Sequence, residues 1–215
     1  AKNSNVEKFI TLGTVCSYPK FASIPFSENE IWDGFPDEIN APYGISKKMM
    51  LVQSDAYRRQ YGFNSITVIP TNLYGPEDDF NIETSSVIPG IILKISNAIK
   101  TGSNEVVLWG DGSPTRDFLF VDDAADGIIL AAQKYDDVSP INLGAQKETS
   151  IKELAMLISE IMKFSGNIIW DNTKAGGQPR RCVSNYKAER EIGFKPKMSL
   201  DEGLRITASY YKKLN

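Results

Sequence analysis

Short apolar runs of strand length alternate along this chain with longer segments of helical period, and that alternation limits the fold more than any other feature. Lys8 to Leu12 (KFITL) ends at Gly13 and is too short for a helix, so it predicts a buried strand. Pro42 opens the next segment, where positions 45, 49, 50, 52, 56, 57 and 61 are apolar or aromatic before Gly62; the spacing predicts a helix over 43–61. Ser65 to Ile69 reads as a second strand, Pro70 to Pro76 as the loop leaving it, and Val87 to Lys100 as a helix ending at Gly102. Strand-like Val106 to Trp109 follows, then a turn cluster from Gly110 to Pro114 and a short strand from Phe118 to Val121. Asp122 and Asp123 start a helix running to about Tyr135, and Pro140 to Leu143 is another short strand. Ser150 with Glu153, and Ser199 with Glu202, are capping boxes ahead of two further helices. The pattern predicts an α/β architecture with a largely parallel sheet.

Between the first strand and the first helix, Thr14 to Asn40 is a long irregular stretch rich in Pro, Ser, Asn and acids, a length more often functional than passive. The 215 residues suffice for one sizeable core or two small ones without staples. Twenty-four basic against 27 acidic side chains give a net charge of -3, which offers no field for nucleic acid or anionic membrane. The two cysteines, Cys16 and Cys182, make neither a disulfide framework nor a zinc spacing, and no signal-like or membrane-spanning run is present, so a cytoplasmic protein without a metal site is expected. Histidine is absent altogether, so any acid/base chemistry must use Tyr, Lys, Cys, Asp or Glu.

Tyr43 and Lys47 stand four apart, so both project from one helix face, where an ammonium beside a phenol favours the phenolate. A surface Tyr and Lys on an amphipathic helix have the same spacing. The pair does not stand alone, however. Ahead of it is Gly13-Thr14-Val15-Cys16-Ser17-Tyr18-Pro19-Lys20, and after it come Pro70-Thr71-Asn72-Leu73-Tyr74-Gly75-Pro76, Trp109-Gly110-Asp111-Gly112 and Arg116-Asp117-Phe118 with Val121-Asp122-Asp123. Together these resemble the extended short-chain dehydrogenase/reductase family of nucleotide-sugar epimerases, dehydratases and reductases. The likeness is nearest to members that act on GDP-4-keto-6-deoxy-mannose, epimerising C3 and C5 and then reducing C4 with NADPH.

The resemblance implies roles for individual residues. Tyr43 would donate a proton to the C4 oxygen, and Lys47 would lower its pKa and hold the nicotinamide ribose. Thr14 stands where the family usually has serine, and its hydroxyl can still hydrogen-bond the substrate oxygen. Cys16 matches the cysteine that abstracts the proton next to the ketone; read alone, it is equally a small buried filler. Pro70, Asn72 and Leu73 match the loop contacting nicotinamide and sugar. Lys94, Trp109 and Arg116 match positions that grip the GDP part, against the plainer readings of a core aromatic for Trp109 and a solvated charge for Arg116. Arg180 and Arg181 would add charge near the diphosphate, or form a plain exposed basic pair.

Two departures stand out. Ser86 occupies the place of the family's histidine acid, and a serine hydroxyl has no proton to give near neutral pH without a partner. Water, or one of the nearby acids Asp78, Asp79 and Glu83, would have to stand in for it. Gly176 occupies a position where the family commonly has an acid.

The family's glycine-rich phosphate loop is missing as well. Only 42 residues precede Tyr43, and no G-x-x-G-x-x-G occurs anywhere in the sequence. The expected fold is therefore a Rossmann-like parallel sheet lacking its first strands and phosphate loop, with a smaller C-terminal α/β substrate domain. Residues 1–75 would be the end of the dinucleotide-binding domain, and 76–215 mostly the substrate domain, with 118–145 returning to the Rossmann sheet. NADP, or NAD, is the implied cofactor, a GDP-sugar the implied substrate, and a homodimer through the Tyr43 helix the implied assembly. Two function classes remain open from sequence: an enzyme, either an epimerase/reductase or a C4 reductase of a related nucleotide sugar without full epimerase activity, and a non-catalytic nucleotide-sugar-binding fragment.

Overall fold

The computed structural model describes residues 1–174 and 178–214, and it is an α/β molecule, as the alternation predicts. Its elements in chain order are β1 (Phe9–Leu12), α1 (Ala41–Tyr61), β2 (Ser65–Pro70), β3 (Asn72–Tyr74), α2 (Val87–Thr101), β4 (Glu105–Trp109), β5 (Thr115–Phe120) and α3 (Val121–Lys134). There follow β6 (Ile141–Leu143), β7 (Glu148–Ser150), α4 (Ile151–Met162), β8 (Asn167–Asp171), β9 (Arg180–Arg181), α5 (Tyr186–Ile192) and α6 (Leu200–Leu214). None of the described helices is long and apolar enough to cross a membrane.

β1, β2 and β6 form a parallel sheet in the order β1-β2-β6. β2 is flanked on both sides, so Ser65 to Ile69 is buried throughout, which is why its sequence is a continuous run and does not alternate. A second sheet has the order β3-β5-β7, with β9 also on β5, and β4 pairs with β8 in a third. α2, α4 and α6 bury Ile92, Ile95, Leu154, Ile158 and Leu204 in one core with Val106 and Leu108 of β4. A separate core gathers Ile66 and Val68 of β2, Leu143 of β6 and Phe194 after α5.

Both predicted helix starts hold. Ser150 accepts from the Glu153 amide at 3.1 Å while Glu153 accepts from the Ser150 amide at 2.9 Å, a cap whose loss costs about 1 kcal/mol. Gly62 ends α1 at φ +61°, a left-handed position that suits glycine, and donates to Arg58 O at 2.9 Å.

Four differences from the expected elements are informative. The loop over 70–76 contains β3, a three-residue strand held by β5. β7, of three residues, and β9, of two, likewise exist through their pairing with β5. β8 and α5 have local signals that escape the periodicity: an apolar run after Gly166, and Gly193 in the left-handed region at φ +74° closing a seven-residue helix. α1 has the predicted extent but buries a different face. Its buried residues are Ala41, Gly44, Lys48, Leu51 and Ser54, whereas Ile45, Met49, Val52, Tyr57 and Tyr61 are exposed.

Candidate functional site

The C-terminal ends of β1, β2 and β6 lie side by side, and the predicted site residues follow those ends in the chain. Ligands of open parallel sheets bind in the crevice beyond such ends. Gly13 extends the ladder by donating to Val68 O at 2.8 Å, and the chain then turns through Val15–Ser17. Thr14 is buried and caps that turn, its Oγ1 accepting from the Cys16 amide at 3.3 Å.

α1 is seated on this turn. Ser17 Oγ donates to Gly44 O at 3.0 Å, and a Cβ on Gly44 would lie only 2.2 Å from Cys16 O. Glycine is what lets the two backbones meet. The close approach brings Lys47 to the strand end, where its Nζ donates to Leu12 O at 3.0 Å and lies 5.7 Å from the Tyr43 ring centroid. Tyr43 is 53% exposed, and its hydroxyl has no partner among the described residues.

Cys16 is half-buried between two polar groups. Its Sγ donates toward Asn40 Oδ1 at 3.9 Å, and Arg181 Nη1 donates to the sulfur at 3.6 Å. Asn40 is itself oriented by donating from Nδ2 to Asp37 Oδ1 at 2.9 Å. Arg181 faces Arg116 as its Cα partner in the β5–β9 ladder. Burial, and then the charge of Arg181, pull Arg116 down to about 10, while Cys16 acts in the other direction; the guanidinium stays protonated at neutral pH.

Asp117, next on β5, is fully buried and pushed up to about 6 by that burial, against the opposing effect of backbone N–H groups of Ala145, Gln146, Lys147 and Val183. Its backbone carbonyl accepts from Asn72 Nδ2 at 2.9 Å and from Thr71 Oγ1 at 3.1 Å. The segment Pro70 to Leu73 is thereby tied to β5, with Leu73 exposed. Cys182 is buried beside Asp117, and burial pushes its thiol up to about 12, so it is a thiol at neutral pH.

The other predicted residues make no hydrogen bond, ion pair or ring contact with Thr14, Cys16, Tyr43 or Lys47 among the described residues. Lys94 donates to Val107 O at 2.9 Å and sits 5.5 Å from the Trp109 ring centroid. Trp109 is 66% exposed, so it is no core aromatic. No hydrogen bond, ion pair or ring contact among the described residues joins Lys94 or Trp109 to Cys16 or Tyr43. Arg180 is engaged by Glu148, donating from Nε to Oε1 at 3.0 Å and from Nη2 to Oε2. Ser86 is the exposed N-cap residue of α2 and makes no side-chain capping bond. Of the acids near it, Asp79 accepts from Thr84 Oγ1, whereas Asp78 carries a buried Oδ2 without a partner and is raised by burial. Gly176 lies outside the described residues.

Sequence reasoning passed over Asn40 and Gly44. Gly44 lies between Tyr43 and Lys47, but a glycine in a helix discloses its use only once the partner backbone is known. The order of Arg180 and Arg181 was equally silent on which of them faces the cysteine.

Residues 1–144 match the model of the NAD dependent epimerase/dehydratase family. The chain is 42% identical over 210 residues to a probable GDP-L-fucose synthase 1 of Oryza sativa subsp. japonica, covering 98% of this chain and 64% of that protein. It is 39% identical over 213 residues to GDP-L-fucose synthase 1 of Arabidopsis thaliana, covering 99% of this chain and 66% of the relative. A crystal structure of a GDP-L-fucose synthetase from Naegleria fowleri bound to NADP superimposes with a TM-score of 0.91 at 30% identity, over 99% of this chain and 68% of that one. The chain thus spans a little under two thirds of the length of the two plant relatives.

Proposed function

The chain belongs to the NAD dependent epimerase/dehydratase family, and from that premise we propose that it carries the catalytic and substrate-binding part of an NADP-dependent GDP-sugar epimerase/reductase, a GDP-L-fucose synthase acting on GDP-4-keto-6-deoxy-mannose. The observation that carries the reading is the convergence of Thr14, Cys16, Tyr43 and Lys47 just beyond the end of β1. The names and ligand of the relatives in rice, Arabidopsis and Naegleria support the choice of GDP-sugar and NADP. In this reading residues 1–75 complete a dinucleotide-binding domain and 76–215 hold mostly the sugar nucleotide, with 118–145 returning; the pairing of β6 on β2 supports that return. A cytoplasmic location belongs to the same reading.

The residues present fit the nicotinamide end of the cofactor. Tyr43 and Lys47 are open toward the strand-end crevice, with Pro70 at the end of the neighbouring strand. When bound, NADPH supplies the hydride that reduces C4. The phenol of Tyr43 gives its proton to the C4 oxygen, and the ammonium of Lys47, anchored on Leu12 O, keeps positive charge beside that phenol. The Thr14 hydroxyl, at the head of the Val15–Ser17 turn on which α1 is seated, orients the same oxygen. In the preceding step the Cys16 sulfur takes a proton from the carbon beside the ketone. The C–H bond breaks, an S–H bond forms, and the electron pair moves into the enolate. Inversion requires a proton from the opposite face, and exposed Ser86 has no side-chain partner among the described residues that would let it act. That observation favours a second reading, a C4 reductase with slow or single-carbon epimerisation. Arg116, Lys94 and Trp109 are the proposed GDP contacts.

The outward apolar row Ile45, Met49 and Val52 supports a homodimer through α1, since such a row on a helix fits a second copy better than water.

The test joins the glycine-rich nucleotide-binding segment of a full-length relative to this chain and supplies NADPH with GDP-4-keto-6-deoxy-mannose in deuterated water. NADPH oxidation is expected, with slow label at C3 and C5, and Ser86→His should raise the labelling. Rapid label at both carbons in the Ser86 enzyme means another acid serves, for which Asp78 is first in line. Absence of NADPH oxidation overturns the reading. The 215-residue chain alone, having no glycine loop, should bind NADPH more weakly than about 10 micromolar, about -7 kcal/mol. Calorimetry showing tighter binding would mean that Tyr43 and Lys47 suffice without a pyrophosphate site.

A further inference from the structure

Of the two adjacent arginines on β9, only one has a carboxylate. Arg180 is exposed and held by Glu148, whereas Arg181 is buried at 9% exposure and pairs with no acid among the described residues. Its partners among the described residues are the neutral Gln178 Oε1, at 2.8 Å from Nε, and the Cys16 sulfur, at 3.6 Å from Nη1. A buried cation is costly unless an opposite charge meets it. It also lies beside a second half-buried cation, Arg116, its register partner on β5. Two guanidiniums side by side without a carboxylate call for an anion, and the chain's own candidate within reach of Arg181 is sulfur.

We propose that Arg181 is the positioning residue and counter-charge of Cys16, holding its sulfur as the reactive anion. The inference rests on the reading of Cys16 as the proton-abstracting group, and it deepens that reading by naming what sustains it in a chain without histidine. The geometry gives the two contacts of Cys16 separate duties. Asn40 Oδ1 accepts from the thiol form, while the guanidinium donates to sulfur and favours the thiolate. Gln178 fixes the guanidinium by accepting from Nε, leaving Nη1 to point at Cys16. The backbone ladder that pairs Thr115 with Arg180 and Arg116 with Arg181 sets which of the two consecutive arginines turns inward.

Alkylation of the purified 215-residue chain by iodoacetamide at pH 7.5, read site by site by mass spectrometry, tests this without any need for activity. Cys182, buried and held as a thiol, reports on folding in the same sample. Arg181→Gln should slow Cys16 alkylation about tenfold while Cys182 stays protected, and Arg181→Lys, which keeps a charge, should fall between the two. Arg205→Gln, a cation on the exposed Asp201 pair of α6, should leave the Cys16 rate unchanged. Equal Cys16 rates in wild type and Arg181→Gln overturn the proposal, as does a Lys variant as slow as the Gln variant. If Arg181→Gln exposes Cys182 through misfolding, the Lys variant alone decides between those outcomes. Failure of the deuterium experiment with intact alkylation differences would sink the proposed function while leaving the sulfur–guanidinium pair standing.

Discussion

Replacing Tyr43 by Phe, in a chain completed with a relative's nucleotide-binding segment, is expected to lower the rate of C4 reduction about 100-fold or more while leaving GDP-sugar affinity nearly unchanged. The asymmetry follows from what the phenol touches. Its ring lies beside Lys47 and its hydroxyl has no partner within the described residues, so deleting the oxygen removes no bond that holds the fold together. The lost interaction is one made with charge that develops on the C4 oxygen as hydride arrives, so turnover falls and binding does not. Stopped-flow NADPH oxidation gives the rate, and fluorescence titration gives the affinity. A Phe variant retaining more than about a third of the wild-type rate would show that the proton comes from elsewhere.

The second large effect concerns folding. In an exposed helix, Gly→Ala stabilises by about 1 kcal/mol through helix propensity. At Gly44 the sign reverses, because the new methyl would stand 2.2 Å from the carbonyl oxygen of Cys16 and 2.9 Å from its carbon, backbone atoms that no rotamer change can move. α1 would have to lift off the Val15–Ser17 turn, loosening the Ser17–Gly44 hydrogen bond and the Lys47–Leu12 contact together. Gly44→Ala should cost about 3 kcal/mol net, lowering Tm by about 6–12 °C in a chain of this size. Thermal denaturation followed by circular dichroism measures it directly. An unchanged or raised Tm would mean the helix is not seated on the turn.

These two positions also show how far the sequence could be read. The Tyr43 and Lys47 spacing, the strand ahead of Gly13, the helix stop at Gly62 and both capping boxes are local facts, and each is found where expected. What local reading could not supply is pairing. β3, β7 and β9 have three residues or fewer, too short for any period, and they exist because β5 offers its edges. The inner face of α1 is hidden from local reading for a related reason. Hydrophobic spacing points to the apolar side of a helix, whereas here close backbone contact selects the small-residue side, Ala41, Gly44 and Ser54, and sends Ile45, Met49 and Val52 outward. Within the site, Tyr43, Lys47, Thr14 and Cys16 were all legible as a group, while the inward turn of Arg181 depended on a two-residue strand that carries no signal of its own.

Asp117 has a consequence for how the molecule tolerates change. Apolar contacts are individually weak and have no preferred direction, so a core side chain can shift slightly without losing any one of them outright. A buried carboxylate facing backbone N–H groups from Ala145 to Lys147 and from Val183 behaves differently, because hydrogen bonds fail steeply with angle. This one side chain acts as a rivet between the strand bearing Arg116, the segment leaving β6 and the chain beyond Arg181. Changing Asp117 would therefore loosen three separate stretches of chain at once, and with them the ladder that pairs Arg116 with Arg181.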